Sequence, residues 1–366
     1  MTKTKLFSPG PVIVTDDVRN SLLHYDICHR GVEFEDMYER LRGKINRLFR
    51  ADDSYFSVVV SGSGTASNET VLSSIVGEGE SVMLIRNGVF GEKLLEIINN
   101  YGISLVDVPF EWAQTPDLGV IEKAIADHPD ISVVAMVYHE TSTGMINPVA
   151  EVGSLCEKYG KVYFVDCVSA LGGEAVDLAA QKITIATSVG GKCVGAFPGS
   201  AYICAKENLL ERVRPEQGRT VYLNLGKHYR EAKSRSQTPN TPNVTLFWAL
   251  DQAIGNILDE GIDARIARYK KCAAMLREGL RSLGLELLLH DEENMSNTVT
   301  SAFLPSGTDL KSFILCLESK GYTVYEGKGK YQEQGMFQVA NMGDLCERDC
   351  AEFISALDGV LKEIAG

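Results

Sequence analysis

One lysine stands in unusual company. Lys192 lies within Gly190-Gly191-Lys192-Cys193-Val194-Gly195, among small and apolar residues, where a surface lysine would have polar neighbours. Such surroundings strip water from the amine and favour its neutral form, the form that condenses with a carbonyl. An exposed lysine in a glycine-rich loop is the plainer alternative. Asp166 closes the run Tyr163-Phe164-Val165, and the carboxyl ends of parallel strands are where ligand-binding side chains collect. A lone aspartate there reads first as a helix N-cap or a surface turn. The third group, Ser61-Gly62-Ser63-Gly64-Thr65, joins a strand-like run to a helix-like one. Free N–H groups at a helix start, with the hydroxyls of Ser63 and Thr65, suit a phosphate. The segment is followed by Ser67 where a dinucleotide fingerprint has a third Gly or Ala, and it lacks the lysine of a nucleotide P-loop; a tight turn would use the same glycines.

The order of the three decides between these readings. Phosphate cradle, acid and amine follow one another, with Lys192 placed 26 residues after Asp166. Pyridoxal 5'-phosphate needs this trio: an anion site for its phosphate, a carboxylate that keeps its ring nitrogen protonated, and a lysine that bonds its aldehyde.

Such a trio must be carried by a scaffold. Apolar runs at 55–60, 81–86, 103–108, 131–138, 161–166, 183–188 and 200–204 alternate with helix-length segments, which predicts a mainly parallel, seven-stranded α/β sheet between helices. Before it, Phe34, Met37, Tyr38, Leu41, Ile45 and Leu48 recur at helical spacing within 33–49. After about residue 245 the alternation gives way to two helices (246–258 and 263–283). Short strands at 285–289, 298–303, 323–325 and 336–340 and a closing helix at 352–364 complete a smaller C-terminal α+β unit. The predicted division is an extended segment at 1–15, a large cofactor-binding domain at 16–245 and a small domain at 246–366.

At 366 residues, with 45% hydrophobic and 23% charged side chains, the chain is long enough for two cores and too apolar for disorder as its main state. A net charge of −13 opposes binding to phosphate backbones and anionic lipid, so neither nucleic acid nor membrane is an expected partner. No apolar run approaches the ~18 residues of a membrane span, and residues 1–11 lack a signal-peptide core. The nine cysteines show no CxxC pair and no metal-finger spacing; they read as reduced thiols of a cytoplasmic protein without a metal site.

The motifs resemble those of the class V aminotransferases, which are fold type I pyridoxal-phosphate enzymes, and among them the 2-aminoethylphosphonate–pyruvate transaminases. The resemblance is carried by Phe7-Ser8-Pro9-Gly10-Pro11, Asp26-Ile27-Cys28-His29-Arg30, Ser61 to Thr65, Asn87-Gly88-Val89-Phe90-Gly91-Glu92, His139-Glu140-Thr141-Ser142-Thr143-Gly144, Val165-Asp166 and Gly191-Lys192-Cys193. It implies that Lys192 and Asp166 are catalytic, Lys192 as the Schiff-base lysine and Asp166 as partner of the pyridine nitrogen. Ser63, Gly64 and Thr65 would hold the phosphate and Phe90 would lie against the ring. One of Thr141 and Thr143 would reach the phenolic oxygen. Thr241 would reach the phosphate in the neighbouring subunit, making the protein a homodimer with shared sites.

The implied reaction moves an amino group from a small-molecule donor to a keto acid: 2-aminoethylphosphonate and pyruvate give phosphonoacetaldehyde and alanine. Alanine–glyoxylate or serine–pyruvate exchange is the neighbouring alternative, and a non-catalytic cofactor-binding regulator is the alternative of another class. For the substrate, Arg30 is a candidate anion contact, with an ion pair to Glu33 or Glu35 as the competing expectation. Gln338 stands where the family pattern has an arginine that forks onto a carboxylate, a contact that a neutral amide cannot reproduce.

Overall fold

The computed structural model describes residues 4–365. Its strands are β1 (Lys5–Leu6), β2 (Tyr55–Gly62), β3 (Ser81–Arg86), β4 (Ser104–Pro109), β5 (Ile131–Val137), β6 (His139–Glu140), β7 (Met145–Ile146), β8 (Val162–Asp166), β9 (Ile185–Val189), β10 (Gly199–Lys206), β11 (Glu286–Leu287), β12 (Val299–Phe303), β13 (Tyr322–Thr323), β14 (Tyr325–Glu326) and β15 (Met336–Ala340). Seven form one sheet in the order β2-β10-β9-β8-β5-β3-β4. β10 runs antiparallel to both its neighbours, while the β9-β8-β5-β3-β4 pairings are all parallel. The fold is therefore the predicted α/β arrangement with one reversed strand. β10 extends beyond the expected 200–204 because it is paired along both edges.

Val82 to Ile85 and Val133 to Val137 are buried on both faces, as a sheet covered by helices requires. The helix Val32–Leu48 buries the six residues of its predicted stripe. It packs on β2 and on the helix Val244–Glu260, whose Phe247, Leu250, Ile254 and Ile257 join the same core. With Cys272, Leu276 and Leu280, the helix Ile262–Ser282 belongs instead to a second core. That core lies under an antiparallel sheet of order β11-β12-β15-β14. The expected strand 323–325 is divided: Tyr322–Thr323 pairs with β1 and Tyr325–Glu326 with β15.

The amino-terminal segment crosses between the two bodies. β1 lies parallel to β13, and Phe7 stacks on Phe353 at 4.4 Å in the second core. Pro9, Gly10 and Pro11 then reach the carboxyl edge of the large sheet, where Lys192 meets the Pro9 carbonyl. No helix among the described residues is long and apolar enough to cross a membrane, and no cluster of side chains there could hold a metal ion. All nine cysteines are unbridged.

Candidate active site

Four of the sheet's parallel strands deliver the candidate residues to one edge. β2 leads into Ser63, Gly64 and Thr65, β3 into Phe90, β8 ends on Asp166, and β9 leads into Lys192. These residues line a single cavity of about 270 Å³ with Gly10, Asn68 and Val168. A larger cleft, about 730 Å³, opens away from them between residues 74–80 and 209–219 and contains none of these groups.

The helix Gly64–Ile75 begins at the cavity, and its N-cap Ser63 makes no side-chain capping bond. The first N–H groups of a helix have no partner within it, so this end presents donors and a positive dipole to an anion. Gly64 is required by contact: a Cβ there would lie 2.7 Å from Val168 Cγ2.

Asp166 is held by two donors, Asn68 Nδ2 at 2.7 Å and the Val168 N–H at 2.9 Å. Thr187 Oγ1 donates to Asn68 Oδ1 at 2.6 Å, which fixes the amide so that its NH₂ faces the carboxylate. Burial pushes the Asp166 carboxyl above its ordinary value, against the pull of Val168, Asn68 and Lys192. A cationic N–H placed against it would relieve that cost. For Lys192 the effect of burial has the opposite sign. Burial, joined by the charge of Lys328, lowers the amine to about 8, against Cys193 and Asp166. Its Nζ donates to the Pro9 carbonyl, and Gly10, at φ 121°, approaches so closely that a Cβ would sit 2.8 Å from the lysine Cδ.

Phe90 lines the cavity through a contact the sequence did not disclose. The Glu140 carboxylate, fully buried, accepts from the N–H groups of Phe90 and Gly91, both at 3.1 Å, and from Ser142 Oγ at 2.6 Å. Burial raises its carboxyl, and those donors oppose the shift. Of the two threonines, Thr143 Oγ1 donates to the Glu140 carbonyl at 3.2 Å; the Thr141 hydroxyl has no such bond among the described residues, so it is the freer of the pair.

The remaining candidates lie elsewhere. Arg30 does not pair with Glu33 or Glu35; it donates to Gln237 Oε1 at 2.9 Å and to the Thr238 carbonyl at 2.7 Å, bracing the turn that leads to Thr241. Thr241 is exposed on that turn. Gln338, fully buried on β15, donates through Nε2 to the Thr141 carbonyl at 2.6 Å and to Ser301 Oγ at 3.0 Å. The cavity thus offers a helix N-terminus, an aromatic wall, a buried carboxylate and a lysine of lowered basicity. That donor set fits pyridoxal phosphate, whose phosphate, ring, ring nitrogen and aldehyde call for these four groups.

Comparison with known proteins agrees in extent. Residues 17–338 match the family described as aminotransferase class-V. An uncharacterized aminotransferase of Methanocaldococcus jannaschii is 32% identical over 363 residues, spanning 99% of this chain and 94% of the relative. A protein of Vibrio vulnificus named 2-aminoethylphosphonate–pyruvate transaminase is 33% identical over 363 residues, covering 96% of each chain. The solved structure of ureidoglycine–glyoxylate aminotransferase from Bacillus subtilis superposes with a TM-score of 0.93 at 25% identity, over 100% of this chain and 95% of that one.

Proposed function

Since the chain belongs to the class-V aminotransferases, a family of pyridoxal-phosphate enzymes, we propose that it transfers the amino group of 2-aminoethylphosphonate to pyruvate, giving phosphonoacetaldehyde and alanine. The observation that carries the choice of donor is likeness along almost the whole chain to transaminases bearing that name. Gln338 does not choose between donors: its amide is neutral and its Nε2 is committed to Thr141 and Ser301, so this position supplies no cationic fork for the carboxylate of an amino acid donor or for that of pyruvate.

When bound, pyridoxal phosphate supplies an aldehyde that condenses with amines and a ring that withdraws electrons from the adjoining carbon. In our reading Ser63, Gly64 and Thr65 hold its phosphate, joined by Thr241 from a second copy of the chain. Phe90 would pack against the ring, and the Thr141 hydroxyl would serve its phenolic oxygen. Asp166, oriented by Asn68 and Val168, keeps a proton on the ring nitrogen. Lys192 Nζ would bond the aldehyde at rest and, when free, would take up and give back the proton of the donor's amine-bearing carbon. An amine poised near pH 8 can do both.

The test compares donors in a single turnover. 2-Aminoethylphosphonate should convert the aldehyde absorbance of the cofactor to that of its amine form faster than alanine or serine. Faster conversion by either amino acid would replace this reading with alanine–glyoxylate or serine–pyruvate exchange.

A further inference from the structure

A cation without a partner stands over the wall of the cavity. Lys328 Nζ lies 5.9 Å from the centroid of the Phe90 ring, within the range over which an ammonium is attracted to an aromatic face. It makes no ion pair or hydrogen bond among the described residues. The neighbouring cations are engaged: Lys330 with Glu111 at 3.1 Å, and Lys93 with Glu96 at 2.5 Å. The adjacent acid, Glu326, accepts instead from Gln332 Nε2 at 2.7 Å. An ammonium that is left without a protein partner is free to take an anion that enters the cavity.

The chain on either side is built to hold Lys328 there. The Gly327 N–H donates to the Met336 carbonyl at 2.7 Å, and a Cβ on Gly327 would meet the Met336 side chain at 2.8 Å. Gly329, at φ 53°, presses on Trp112, whose ring lies 2.8 Å from where a Cβ would stand. One glycine thus pins the loop to β15 and the other pins it to the large-sheet body. Just before the loop, Tyr325 Oη donates to the Gly10 carbonyl at 2.9 Å, on the segment that touches Lys192. Lys328 also contributes to lowering the basicity of Lys192.

We propose that Lys328 is the substrate-binding cation of this site, receiving the phosphonate dianion of the donor while the donor's amine faces Lys192. The assignment rests on the donor reading above and deepens it. Gln338 is neutral, Arg30 is committed to the 237–239 turn, and Lys93, which lines the cavity, is drawn into a surface pair with Glu96; Lys328, over the Phe90 wall and without a pair, supplies the charge that an anionic donor requires.

The test uses holoenzyme and two variants, Lys328→Ala and Lys328→Arg, with folding checked by melting and by cofactor absorbance. Binding of methylphosphonate, an unreactive dianion, is measured by calorimetry. Loss of a charge-assisted contact should weaken it about tenfold or more in Lys328→Ala, while Lys328→Arg should retain most of it. KM for 2-aminoethylphosphonate should rise in parallel with a smaller change in kcat. In cofactor-free protein, removing the cation should also raise the pH at which Lys192 becomes neutral. Methylphosphonate affinity and KM within twofold of native in Lys328→Ala would overturn the assignment, as would absence of methylphosphonate binding to the native holoenzyme. Failure of the donor reading shows separately, as native protein that prefers alanine to the phosphonate. Retained tenfold weakening of methylphosphonate in Lys328→Ala would still uphold the dianion site in that case.

Discussion

The surroundings of Lys192 change the chemistry open to it. Because burial lowers its amine to about 8, the neutral, carbonyl-reactive form becomes abundant near that pH instead of near the ordinary value of about 10.4. Below the midpoint the amine carries a proton and does not attack an aldehyde; above it the lone pair is free. In cofactor-free protein, aldehyde capture followed by borohydride reduction should therefore rise with pH through about 8 and mark Lys192 on peptide mapping. A label on a different lysine, or a midpoint near 10, would remove its assigned role. Asp166→Ala should leave the fold intact and abolish most turnover. Asn68→Ala should cost less, because Val168 N–H still holds the carboxylate; equal loss from both would mean that Asn68 acts directly.

The contrast between these residues shows what local sequence can disclose. Lys192, Asp166 and the 63–65 turn were legible because each carries its signal in adjacent residues: glycines around an amine, an acid ending an apolar run, small residues before a helix. Asn68 was not, since a polar residue early in a helix is ordinary and only the fold brings it against Asp166. Glu140 stood inside a quoted motif, yet nothing nearby in sequence shows that the backbone of Phe90 and Gly91 would be its partner. Gln338 was marked as a departure, but its bond to the Thr141 carbonyl joins positions 197 apart.

Among the elements, the helix Gly64–Ile75 is closely constrained where it meets the cavity. It packs against β2, β9 and β10, and its first residue has no room for a side chain beside Val168. Gly64→Ala should force either the helix start or Val168 to move, with a loss of about 1–3 kcal/mol as for other overpacked sites. A thermal melt would register that loss, and cofactor titration should show weaker retention. An unchanged melting temperature would mean that the contact relaxes freely. The strands themselves were readable from apolar runs, in places to the residue, as at 81–86. Their lateral order and the reversal of β10 were not, because pairing depends on connections through space that periodicity does not encode.

For the whole molecule, the exposed apolar side chains bear on assembly. Leu23, Tyr25 and Val32 in one stretch and Val221 and Tyr222 in another stand in solvent, Leu23 with 82% of its surface uncovered. An acidic chain that leaves such groups uncovered is suited to burying them against a second copy, and the reading of Thr241 needs that copy to complete the phosphate site. Sedimentation should give a dimer, and Leu23→Asp should shift it toward monomer with loss of activity. A native monomer that turns over at full rate would refute shared sites.

The amino-terminal segment gives the molecule a mechanical linkage. One end is stitched into the C-terminal body through β1 and Phe7, and the other carries the carbonyl that Lys192 grips. Tyr325 fastens the same run at Gly10 from the neighbouring strand. The segment thus acts as a brace, with one run of residues sharing its contacts between the core of the C-terminal body and the amine at the edge of the large sheet. A substitution at Phe7 or Tyr325, though neither side chain lines the cavity, should therefore be felt at Lys192 through the Pro9 and Gly10 carbonyls.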